Sequence, residues 1–164
     1  MDIEKIKASF QLLASHITKF SLDNGFYYYN SLTEAERKID VSYALQDIKK
    51  DEETGEHYGT IELNLVISVE SEKSEFQMEI CSSGLFSADD ELPDEVFRKM
   101  LTLNGCSVLY TLTRAKVASV TSQIFEDGCV MLPLVNFVKF RELKQDVIGQ
   151  RKKGTQKKKI SVKD

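Results

Sequence analysis

Ile61-Glu62-Leu63-Asn64-Leu65-Val66-Ile67-Ser68-Val69-Glu70 decides the fold class of this chain. Ile61, Leu63, Leu65, Ile67 and Val69 recur at every second position, with Glu62, Asn64, Ser68 and Glu70 between them. A period of two puts the aliphatic set on one face of a strand and the polar set on the other. Upstream, Ile39, Val41, Tyr43 and Leu45 alternate against Lys38, Asp40, Ser42 and Gln46. The charged stretch from Lys49 to Glu56, with Gly55 as its one glycine, is short enough to join the two as a hairpin. Downstream, after Ser71-Glu72-Lys73-Ser74, Phe76, Met78 and Ile80 alternate with Gln77 and Glu79. Ala8 to Leu22 carries apolar residues two apart with a change of phase at Leu12-Leu13, which predicts a first strand with a bulge, closed by the turn residues Asp23-Asn24-Gly25. Four strands in succession predict an antiparallel meander whose one apolar face must be covered by helices.

The cover begins at Asp89-Asp90-Glu91-Leu92-Pro93-Asp94-Glu95, where acids and a proline mark a helix start. Gly105 is expected to interrupt this helix. From Leu103 to Phe125 only Arg114 and Lys116 are charged. At about 100° per residue, Val108, Leu112, Ala115, Ser119 and Ser122 form one stripe, and Leu109, Val117, Val120 and Ile124 a second. One sheet covers one side, so the other is expected to meet a partner chain or a ligand; the alternative is cover by the first strand or the last helix. An apolar loop, Cys129 to Phe137, leads to an amphipathic helix expected from Val138 to Ile148. Residues 150–164 form a basic tail, and Gln150 to Lys159 contains no apolar residue, so disorder is expected there. Domain organisation is thus one α+β domain over residues 1–149 and a tail over 150–164.

The chain has 164 residues and a formal charge of −4. That sum hides a division: 12 basic and 23 acidic residues precede position 138, a net −11, while 10 basic and 3 acidic follow, a net +7. An acidic body argues against nucleic-acid binding by the fold; any such contact would fall to the tail. Cys81, Cys106 and Cys129 are widely spaced with no CxxC, and His16 and His57 are the only histidines, so no metal site, disulfide framework or cofactor is expected. The amino-terminal Met1 to Lys7 mixes acids and bases and no segment is apolar enough for a membrane span, so a cytoplasmic location without membrane insertion is expected. No GxGxxG, GxxxxGK[ST], GxSxG or HExxH pattern occurs, and no enzyme activity is expected. What the sequence does carry is surplus apolar surface, the mark of a protein- or peptide-binding site. Met78, Met100 and Met131 fall within it, as adaptable contacts or plain core.

Three runs carry a family resemblance. Phe76 to Ser87 resembles the last strand of SecB, the bacterial protein-export chaperone. Asn104-Gly105-Cys106-Ser107-Val108-Leu109-Tyr110-Thr111-Leu112-Thr113-Arg114 looks like its long-helix signature, and Leu132-Pro133-Leu134-Val135-Asn136-Phe137 like the loop that follows. Ser15 to Asp23 is similar to the family's first strand, and the likeness spans residues 8–148. It implies a four-stranded antiparallel sheet with long helices packed on one face, a homotetramer built as a dimer of dimers, and ATP-independent binding of unfolded polypeptides for export. By motif match, peptide contacts fall on Leu132, Pro133, Val135 and Phe137, with Leu109, Tyr110 and Leu112 as further candidates. Met78, Ile80 and Ser82 match positions near subunit packing, joined by Val108, Ala115 and Ser119 of the two-sided helix. Asp23 and Glu79 match acidic positions of the face that docks the SecA motor, whereas Lys19 and Gln77 depart from it, Thr111 and Leu112 replace a proline and an aromatic, and the tail is Lys-rich. These departures are compatible with a dedicated chaperone of a toxin-antitoxin module. Competing readings are an adaptor that binds nucleic acid or the ribosome through its tail, and a small-molecule binder.

Overall fold

The long alternating run becomes the central strand of a four-stranded antiparallel sheet in the order β1-β4-β3-β2. The computed structural model describes residues 8–26, 36–71, 74–126 and 128–140. Its strands are β1 (Phe10–Asn24), β2 (Glu36–Lys50), β3 (His57–Glu70) and β4 (Glu75–Ala88). The expected meander is thereby corrected: β2, β3 and β4 follow one another as hairpins, but β1 pairs with β4, so the connection after Asn24 joins opposite edges of the sheet. This is a Greek-key arrangement. β1 carries the bulge at Leu13 and a second one at Thr18, since the register shifts between Leu12 and Ala14 and between Ile17 and Lys19.

Local chemistry explains the turns. Asp51 ends β2 and its Oδ1 accepts from the Thr54 amide at 2.8 Å, the Glu53 amide at 3.0 Å and the Thr54 hydroxyl at 3.1 Å. These bonds, the Thr54 amide first, hold its carboxyl below the usual carboxylate range. Gly55 then takes φ +73, which favours a residue without Cβ. After β1, Asn24 closes on Phe26 through both its amide nitrogen and oxygen, and the Gly25 amide donates to the Glu75 carbonyl at 2.7 Å.

The covered face of the sheet is the one read from the sequence. Ile61, Leu63, Leu65 and Ile67 of β3 lie beside Gly84, Ser82, Ile80 and Met78 of β4, and all of these residues are buried. Each fully buried aliphatic of this double row contributes about 1.5–3 kcal/mol. The edge strand β2 is largely exposed, with Val41 as its buried residue.

One long helical stretch covers the sheet, where the sequence reading expected several. Helix α1 (Asp94–Met100) runs through a five-residue π turn (Leu101–Gly105) into α2 (Cys106–Ile124). Gly105 therefore does not interrupt the helix: it sits at φ −60, ψ −46, and its missing Cβ leaves room for the Ile61 side chain. Gly59 on β3 makes the same concession from the sheet side, since a Cβ there would lie 2.6 Å from Leu101 Cδ2. Phe97 is fully buried, packed against Phe10 and stacked 5.2 Å from the His57 ring. His57 is buried as well and its Nε2–H donates to the Leu92 carbonyl at 2.7 Å. It is a structural histidine that anchors the helix start.

The chain divides into two compact units, Met1–Pro133 and Leu134–Asp164. In the second, Asn136 caps a helical turn at 137–140: its Oδ1 accepts from the Val138 and Lys139 amides at 3.1 and 3.2 Å. The remainder of the expected final helix, the boundary at 149 and the tail lie outside the described residues. Among the described residues no helix is long and apolar enough to cross a membrane.

Candidate functional site: an apolar groove at the sheet edge

Helix α2 has a buried side and an exposed side, with Val120 and Ile124 half-buried between them. Cys106, Leu109, Tyr110, Thr113, Val117 and Thr121 are buried against the sheet and the following loop. The opposite stripe, Val108, Leu112, Ala115, Ser119 and Ser122, is exposed in this chain. Ala115, Ser119 and Ser122 are small and uncharged, which suits close approach of another surface.

Beyond Phe125, which packs on Phe76 at 5.7 Å, the chain returns along α2 as an extended segment. Three side chains of α2 hold it. Thr121 Oγ1 accepts from the Val130 amide at 2.9 Å, Arg114 Nε donates to the Leu132 carbonyl at 2.6 Å, and the Tyr110 hydroxyl donates to the Pro133 carbonyl at 2.8 Å. Burial raises the Tyr110 phenol above its ordinary value, with Arg114 opposing, so the hydroxyl keeps the proton it donates.

Between this segment and the sheet lies a groove of about 130 Å³. Its sheet wall is two alternate rungs of the β2–β3 ladder, Arg37 with Val69 and Ile39 with Ile67, with the Lys38–Ser68 rung between them. Its other wall is Val130, Met131, Leu132 and Pro133. Leu132, Ile67 and Val69 form a buried floor, whereas Ile39 is 40% and Met131 58% exposed at the mouth. Apart from Arg37 the lining carries no charge, so it suits apolar side chains.

Of the residues placed by resemblance, Leu132 and Pro133 line this groove. Val135 and Phe137 belong to the second unit, where the Phe137 ring meets Phe140 edge-on at 5.8 Å. Leu109 is core, Tyr110 is a tie to the loop, and Leu112 faces outward on α2, so none of these three lines the groove. Met78, Ile80 and Ser82, matched to positions near subunit packing, are each at most 1% exposed within this chain, and the hydroxyls of Ser82 and Thr113 are hydrogen-bonded at 2.9 Å. Val108, Ala115 and Ser119 are exposed. On the other face of the sheet, Asp23 lies opposite Gln77 and Glu79 opposite Ser21, two rungs away, with Glu79 paired to Lys19 at 2.7 Å. Cys81 sits on that face beside Asn64, and burial raises its thiol. The groove also takes in Arg37, on which the sequence reading is silent, Ile39, Ile67 and Val69, which it places only on strands, and Val130, which it places only in the apolar loop.

No protein-family model and no curated protein matches the chain. Among solved structures, one similar fold is the Mycobacterium tuberculosis SecB-like chaperone Rv1957 in complex with a ChAD peptide from the Rv1956 HigA1 antitoxin. It matches at a TM-score of 0.55 and 13% identity over 77% of this chain and 91% of that one. A protein of unknown function from Streptococcus agalactiae matches at a TM-score of 0.47 and 12% identity over 76% and 96%. The chain has a SecB-like fold: a four-stranded antiparallel sheet covered on one face by a long helix.

Proposed function

We propose that this protein is an ATP-independent chaperone that holds unfolded or extended polypeptides, a binding protein rather than an enzyme, acting in the cytoplasm. The observation that carries this reading is the groove between β2–β3 and the Val130–Pro133 segment. It is apolar, open, and placed beside an edge strand, where an extended chain presents alternate side chains to a pocket. A groove built from aliphatic and Met side chains selects for hydrophobicity rather than for one sequence, which gives broad and reversible binding. The uncharged outer stripe of α2 supports assembly, with a dimer of dimers as the expected form.

The client class has two candidates. The similar fold from Mycobacterium tuberculosis was solved with a peptide from an antitoxin, which favours a dedicated toxin-antitoxin chaperone. Export of preproteins is the other; it would use SecA, with Asp23 and Glu79 on the docking face, but Lys19 already neutralises Glu79 there. An adaptor role for the basic tail rests on residues outside those described.

The test is aggregation of a chemically unfolded protein on dilution, followed by light scattering at equimolar chaperone. Suppression is expected for the wild type and its loss for Ile39→Asp. A folded sample that suppresses nothing refutes the reading.

A further inference from the structure

We propose that Tyr110, Arg114 and Thr121 are positioning residues that set the shape of the peptide groove by holding its outer wall through main-chain atoms alone. The inference rests on the chaperone reading above. All three bonds end on backbone groups, the Val130 amide and the Leu132 and Pro133 carbonyls. The side chains of Val130, Met131, Leu132 and Pro133 make none of these bonds and line the groove instead.

The order of the bonds gives the loop its direction. Moving back along α2 from Thr121 to Arg114 to Tyr110, the partners run forward from residue 130 to 132 to 133, so the segment runs antiparallel to the helix. Eleven helical residues rise about 16 Å, more than the roughly 10–14 Å that four extended residues can span. Long donors at the Pro133 end make up the difference: a Thr hydroxyl suffices at Val130, an arginine is needed at Leu132 and a tyrosine at Pro133. This accounts for Arg114, one of two charges between Leu103 and Phe125, and for Tyr110, whose buried ring takes no part in the groove lining.

A wall fixed in this way is preorganised, so a client does not have to order it on binding. Releasing it should cost affinity through faster dissociation rather than slower association. Pro133 adds to the rigidity by fixing its own φ, and its missing N–H leaves no donor to satisfy.

The probe is fluorescently labelled, reduced and carboxymethylated α-lactalbumin, a permanently unfolded chain. Its dissociation constant is measured for wild type, Tyr110→Phe, Arg114→Gln, Thr121→Val and, as a groove control, Ile39→Asp. Hydrogen exchange at the Val130 amide reports whether the wall has been released. Each of the three tie variants is expected to keep a cooperative unfolding transition, weaken binding about tenfold, as loss of one hydrogen bond of this kind implies, and exchange Val130 faster. Arg114→Lys, which keeps the charge but not the fixed Nε donor, should recover only part of the affinity. If Ile39→Asp loses binding while the tie variants bind as wild type, the positioning role is overturned and the groove stands. Wild-type binding by Ile39→Asp overturns the groove itself. Affinity lost with no change at Val130 overturns positioning by these bonds.

Discussion

Gly59→Ala tests the seat on which the whole site depends. The residue lies on β3 opposite Phe86, where the π turn and α1 press onto the sheet. An added Cβ would stand 2.6 Å from Leu101 Cδ2 and 3.2 and 3.3 Å from Phe97 Cε1 and Cζ. Both neighbours are fully buried, and they pinch the methyl from two sides, so no single rotamer change relieves both contacts. Two effects oppose each other. Replacing a glycine within a strand gains about 0.5–1 kcal/mol from lost freedom in the unfolded chain. Overpacking a close-packed core costs about 1–3 kcal/mol. Overpacking wins, with a net loss of about 1–2 kcal/mol and a melting temperature lower by roughly 2–8 °C for a chain of this size. A second substitution identifies the cause. Leu101→Ala alone should cost about 2–5 kcal/mol, but on top of Gly59→Ala the new methyl occupies part of the vacated space. The double variant should then be at least about 1 kcal/mol more stable than the sum of the singles. Chemical denaturation of the four proteins measures this directly. Gly59→Ala as stable as wild type, or singles that add without coupling, refutes the close approach of helix and sheet at this point.

Three further outcomes are expected. Met131→Asp, at a largely exposed position of the groove mouth, should leave unfolding free energy within about 0.5 kcal/mol yet abolish suppression of aggregation; a variant that still protects its client removes Met131 from the site. Asp51→Ala should destabilise the β2–β3 hairpin at neutral pH. Its folded carboxyl is held below the usual range, so the stability it contributes is full above the unfolded value and is lost as pH falls through the lowered folded one. The difference between wild type and variant in denaturant titrations should therefore shrink below about pH 4, and a difference independent of pH contradicts the capping role. Leu112→Asp, on the outer stripe of α2, should lower the mass seen by light scattering while leaving the helical signal unchanged; an unchanged mass excludes that stripe from assembly.

The legible parts of this chain are those fixed by local period. β3 alternates without a break from Ile61 to Val69, and the buried face follows residue by residue. The phase change at Leu12-Leu13 announced a bulge because an inserted residue shifts every later side chain to the other face. Strand order was not legible. Pairing of β1 with β4 is a contact between residues 52 to 78 positions apart, and nothing in either strand's own pattern distinguishes β4 from β2 as its neighbour. That same ignorance hid half of the site. Ile39 and Ile67 were read as apolar strand residues, but their place in a groove depends on β2 being an edge and on the 130–133 segment lying over it. Tyr110 is a client-contact candidate by motif match alone, and a motif match does not reveal that its hydroxyl donates to the Pro133 carbonyl. Met78, Ile80 and Ser82 are placed by motif position, which says which strand a residue is on and not how far this chain itself buries it.

A division of labour between main chain and side chain follows from these placements. The groove's outer wall is fixed at three backbone groups by three residues of α2, and its inner wall by ladder hydrogen bonds between β2 and β3. Neither set constrains the side chains that face the cavity. Ile39 and Met131 stand exposed at the mouth, away from both sets of bonds. Cost falls elsewhere, on Gly59, Gly105 and the buried rows of β3 and β4, where one added methyl meets a close-packed neighbour. The residues that fix the groove's walls and those that face its cavity are thus largely different residues.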